Sequence, residues 1–134
     1  MAALQVDAVE AAVRLTYPRV HTTPDGASHF QDVDVPMAPA VYVAGIPPVD
    51  VATAQAATKL QFAHVGAGYT SDWHPAPCRQ FVLILAGVIE VTVADGETRS
   101  FGPGSVFLVE DTDGAGHQTR TVGSEECVFV AVAC

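Results

Sequence analysis

Basic side chains are scarce. The 134 residues hold one lysine and five arginines against fifteen acids, for a formal net charge of −9. This excludes the cationic surface that nonspecific binding to nucleic acid or anionic lipid requires. The acids are scattered, so they speak for solubility more than for a partner. Cysteine is also rare. Residues 78, 127 and 134 make an odd count with no C-x-x-C pair, which excludes a disulfide framework and a thiolate zinc site. Long apolar runs are missing. Phe81 to Ile89, broken by Gly87, and Cys127 to Cys134 are the longest, well short of the ~18 residues of a membrane helix. Residues 1–14 lack a basic leader segment and carry Asp7 and Glu10, so a cytoplasmic protein is expected. Charged residues amount to only 16% against 49% hydrophobic, which opposes disorder.

What is present fits one domain with a substantial core. Residues 3–15 predict a short helix, with Leu4, Ala8, Ala11 and Leu15 on one face, and Pro18 discourages its continuation. A turn is expected at Pro24-Asp25-Gly26. Strands are predicted at 28–35, 40–44, 59–65, 79–86, 88–94, 97–101, 105–110, 117–122 and 126–133. Gly87, Asp95-Gly96, Gly102-Pro103-Gly104, Asp113-Gly114 and Gly123-Ser124 punctuate the later ones. Short strands with regular turn signals argue for a sandwich or barrel, and the connections are too short for crossover helices. The division is an N-terminal extension over 1–27 and a single barrel domain over 28–134. The long 45–58 loop is expected to be a lid, a pocket wall or a contact with another subunit. Phe62, Phe81, Leu83, Leu85, Val91, Val93, Phe107, Val109 and Phe129 are the expected core.

One stretch carries most of the functional information: GYTSDWHPAPCRQFVLILAG, Gly68 to Gly87. Gly68, His74, Gln80 and Gly87 fall at the spacings of the first motif of the cupin superfamily, which this sequence resembles. Ala76 stands where that motif has a second histidine, and Gln80 replaces its glutamate. Phe101-Gly102-Pro103-Gly104-Ser105, the strand after it and His117 resemble the second motif. Its connection is about two residues longer, and Thr121 stands where asparagine is common. Ser28-His29-Phe30 looks like the N-terminal strand of a subgroup of small single-domain cupins. The resemblance covers residues 59–133. It implies an all-β double-stranded β-helix, a jelly-roll barrel with a small-molecule site at its mouth, and a homodimer. In typical relatives three histidines and a glutamate hold one divalent metal.

The two departures weaken that metal site, because a neutral amide binds first-row metals less well than a carboxylate and alanine offers nothing. His74, Gln80 and His117 are the remaining candidate ligands for one divalent ion (Fe, Mn, Ni, Co or Zn), with His64, His29 or an acid among Glu110, Asp111 and Asp113 to complete the set. Without metal, His74 and His117 are the candidate proton-transfer pair and Gln80 the residue that orients substrate. His64, His29, Trp73 and Tyr69 are candidate pocket walls. One acid of Glu110 to Asp113 is a candidate to orient His117. Arg79 is expected to face away from Gln80 and make an ion pair. Three functions follow as expectations: an acid–base isomerase, cyclase, epimerase or dehydratase; a metal-dependent dioxygenase-type enzyme; or a binding barrel without chemistry.

Overall fold

The computed structural model describes residues 11–134. Among them there are ten strands and no helix. They are β1 (Ala12–Thr22), β2 (Ser28–Ala40), β3 (Val49–Val51), β4 (Lys59–Val65), β5 (Gln80–Ala86), β6 (Ile89–Val93), β7 (Thr98–Phe101), β8 (Val106–Val109), β9 (His117–Thr121) and β10 (Cys127–Ala133). Seven form one sheet in the order β3-β2-β1-β8-β5-β10-β4, and three form another in the order β7-β6-β9. This is an all-β architecture, two facing sheets whose inner sides enclose the core. No helix of the described residues is long and apolar enough to cross a membrane.

The core lies between the sheets. Val20, Val82, Ile84 and Val109 come from the large sheet, and Ile89, Val91, Val93 and Phe101 from the small one. Phe101 stacks on Phe107 with ring centroids 4.3 Å apart. Burying each such side chain contributes roughly 1.5–3 kcal/mol. Gly87 turns the chain between β5 and β6 with φ at +77°. A Cβ there would sit 2.0 Å from the carbonyl oxygen of Glu126, so only glycine fits.

Several expectations change. The helix over 3–15 is not formed where the structure describes it, because Ala12–Leu15 belongs to β1; the rest lies outside the described residues. β1 is held on both sides, antiparallel to β2 and parallel to β8 through Arg19↔Leu108 and Val20↔Val109. Pro18 is tolerated within it. The 28–35 strand continues to Ala40, while 42–46 is bend and turn, so no separate strand forms over 40–44. The 45–58 segment contains β3, and residues 52–58 carry the chain from the β3 edge of the large sheet to its β4 edge.

Alternation also corrects the core. Gln80, Val82 and Ile84 of β5 face inward, which turns Phe81, Leu83 and Leu85 to the outer side of the sheet. Phe62 of β4 is outside too, at 72% exposure, and Leu60 beside it at 62%. Through their common neighbour β10 these strands join into an outer face that is largely apolar, with Val130 between Phe62 and Leu83.

Candidate functional site

The segment between β4 and β5 positions the first histidine. It runs antiparallel along β9: Thr121 N–H donates to Tyr69 O at 2.9 Å, and Ser71 N–H to Thr119 O at 2.8 Å. At its end His74 and His117 exchange both backbone hydrogen bonds, each 3.0 Å long. This pairing brings their imidazoles together, with ring centroids 4.9 Å apart.

The loop before β9 is fixed from the other side. Ser28, fully buried, donates its hydroxyl to Gly116 O at 2.6 Å and accepts from Ala94 N–H at 2.8 Å. Ala115 N–H donates to Gly26 O. Gly116 has φ at +72°, and a Cβ on it would lie 2.1 Å from the His74 carbonyl. The two histidine segments therefore meet backbone to backbone across a glycine.

Asp111 is what sequence reasoning placed least firmly. It is fully buried, and its Oδ2 accepts from His117 Nδ1 at 2.6 Å. Its Oδ1 has no hydrogen-bond partner among the described residues. Of the acids from Glu110 to Asp113, the fold buries this one behind the imidazole. His74 Nδ1 faces the Asp72 carbonyl at 2.8 Å. Both partners accept, so both Nδ1 atoms carry the hydrogen, and each neutral ring presents Nε2 as an acceptor.

His74 and His117 line a cavity of about 160 Å³ between the sheets. Gln80 and Tyr69 line it as well, together with Thr119 and Pro77, which the sequence did not single out. Its remaining walls are apolar, among them Val65, Val82, Ile89, Phe107 and Phe129.

Three expected pocket residues are elsewhere. His64 faces the outer side because Val65 next to it faces in, and its Nε2 meets Glu126 at 2.8 Å. His29 turns out because Phe30 packs on the core; its ring nitrogens meet Asp95 at 3.0 Å and Thr23 at 3.1 Å. Trp73 is 46% exposed and does not line the cavity. No residue of 45–58 lines it either, so that segment is no pocket wall.

Arg79 forms the expected ion pair, with Glu110 at 2.9 Å, and Arg19 reaches the same carboxylate at 3.2 Å. Burial alone would raise the Glu110 pKa, but the two guanidiniums overcome it and hold the carboxyl below its ordinary range.

The donor set does not fit a resident divalent metal. His74, His117 and Gln80 supply two neutral nitrogens and a neutral amide. The nearest carboxylate, Asp111, is turned behind His117 and engaged there. Ala76, where relatives carry a further ligand, is buried in the core. Among the described residues no group of three or more His, Cys, Asp or Glu side chains is placed to hold an ion.

Solved structures similar to this chain include a conserved protein of unknown function from Streptococcus pyogenes. It is 23% identical with a TM-score of 0.43, over 56% of this chain and 63% of that one. A cupin domain from Bordetella pertussis Tohama I is 17% identical with a TM-score of 0.45, over 72% and 91% of the two chains. The cupin domain of Schizosaccharomyces pombe Cnp3 is 14% identical with a TM-score of 0.46, over 88% and 86%. This chain thus spans under two-thirds of the Streptococcus protein. No curated protein matches. The family model described as "Cupin domain" matches residues 61–133. With more than half of its length matched by that model, the chain belongs to the cupin family.

Proposed function

We propose that this cupin is a small-molecule enzyme that works by proton transfer, of the isomerase, cyclase, epimerase or dehydratase kind. One observation carries the reading: two imidazoles 4.9 Å apart share a largely apolar cavity, and a fully buried carboxylate backs one of them. Only His117 has an anion behind it. As His117 Nε2 takes a proton from a carbon next to a carbonyl, Asp111 stabilises the imidazolium that forms. The electron pair of the broken C–H bond moves onto the carbonyl oxygen. The Gln80 amide N–H is the natural donor to that oxygen. His74, its ring centroid 4.9 Å away and its Nδ1 hydrogen held by the Asp72 carbonyl, takes that proton from His117 on its own Nε2 and returns it to the carbon, or to a neighbouring one. The apolar walls keep water from the intermediate.

Deuterium wash-in from D2O tests this, since the proposed step removes such a proton whichever of the four reactions follows. The substrates are enolisable carbonyl compounds both charged and uncharged: cyclohexanone, hydroxyacetone and acetoacetate. Wash-in above the buffer rate is expected, unaffected by chelator. His74→Ala and His117→Ala should each lower it by roughly two orders of magnitude. Near-normal rates in both variants, or no exchange with any of the three, sink the proposal. Ligand retention without exchange would support the binding-barrel reading in its place.

A further inference from the structure

The cavity also specifies the charge and size of what it takes. We infer that the ligand is an uncharged compound of roughly six to ten non-hydrogen atoms, an apolar ring or branched body bearing a hydroxyl or an enolisable carbonyl. The inference rests on the cavity above being the working site.

Charge comes first. Carboxylates and phosphates are held in proteins by arginine or lysine. All six such residues are described, and none lines the cavity. Each arginine is committed to a carboxylate elsewhere. Arg14 meets Asp50, Arg19 and Arg79 meet Glu110, Arg99 meets Asp32 and Glu97, and Arg120 meets Glu90. Lys59 is exposed at the start of β4. The charge nearest the cavity is the carboxylate of Asp111, of the wrong sign for an anion. Burying an uncompensated charge against apolar walls is far more costly than burying a neutral body.

Size and polarity follow. A protein cavity of ~150 Å³ admits benzene, and this one measures about 160 Å³. Its polar groups gather on Tyr69, His74, Gln80, His117 and Thr119, against an apolar remainder. Both imidazoles offer Nε2 as an acceptor in their neutral forms, so the matching ligand brings a donor, as an alcohol, phenol or enol does.

Titration of the 15N-labelled protein, followed by NMR of the imidazole and backbone signals, tests the inference. The probes are phenol and cyclohexanol against benzoate and phenyl phosphate, at a pH where both alcohols are neutral. Both alcohols should shift the His74 and His117 imidazoles saturably. Both anions should bind at least tenfold more weakly. An anion that binds as well as the alcohols, alcohols that leave both imidazoles unmoved, or alcohols that do not bind would each overturn the inference. Binding and wash-in fail separately. Selective alcohol binding without exchange retires the proton-transfer reading alone, and exchange with preferred anion binding retires this one alone.

Discussion

Asp111 and His117 form the most constrained pair in the site. A carboxylate buried this completely, with one oxygen unpaired, is held where its charge acts on a neighbour rather than where it stabilises the fold. Asp111 does not itself line the cavity and acts through His117, so it is a positioning residue. Asp111→Asn should lower the wash-in rate at least roughly a hundredfold, because the amide weakens both the orientation of His117 and the support of its imidazolium. The 15N signals of the His117 ring should show a changed tautomer balance while the backbone spectrum stays folded. Unchanged ring signals with unchanged exchange would remove Asp111 from the mechanism. At this scale the sequence was legible where spacing speaks. His74, His117 and Gln80 were found through the intervals from Gly68 to Gly87 and the later glycine-rich turn. Asp111 was named only as one of the acids from Glu110 to Asp113, because its burial depends on a loop that Ser28 and Gly26, more than eighty residues away, hold in place.

Elements impose their own constraints. The loop before β9 rests on the backbone of His74 at Gly116, so Gly116→Ala should cost roughly 2–4 kcal/mol. Urea unfolding measures it, and the reciprocal His74 and His117 amides should lose protection from exchange first. A variant as stable as the parent would mean that the two segments can part without loss. On the outer side, Glu110 ties β8 to β1 and to the start of β5 through Arg19 and Arg79. Its carboxyl is depressed in the folded state, so its contribution is present above the ordinary carboxylate pKa. It is lost as pH falls through the lower folded value. Glu110→Gln should cost about 1 kcal/mol at neutral pH, a modest figure because Arg79 is half-exposed. The gap between variant and parent should close at acid pH in urea titrations. Strands from β4 onward were legible because glycine turns bracket them. The facing of β5 was not, since FVLIL is apolar on both sides and alternation alone names no inner face. β1 was missed for a different reason. AVEAAVRL carries a helical composition, and its partners, β2 and β8, are known only once the chain has folded.

For the whole molecule, the outer face of the large sheet is the feature that function has not yet used. Leu60, Phe62, Leu83 and Leu85 together expose roughly 400 Å² of apolar side chain, near the upper size of a patch left open on a monomer. A standard interface buries about 800 Å² per partner, somewhat over half of it apolar. The patch supplies most of that apolar share, so a second copy of the chain is the occupant its area favours. Sedimentation equilibrium should give twice the chain mass, and Phe62→Glu with Leu85→Glu should give the single mass with an unchanged strand spectrum. A wild-type monomer would refute the pairing. The parallel contact of β1 with β8 has a consequence in time. The hairpin of β1 and β2 leaves the ribosome complete at Ala40, but the strand that covers its open edge ends at Val109, about seventy residues later. At 5–20 residues per second the hairpin waits roughly three to fourteen seconds with that edge unpaired. During synthesis this protein is therefore most open to wrong partners at its earliest described strand, long before the site it will carry exists.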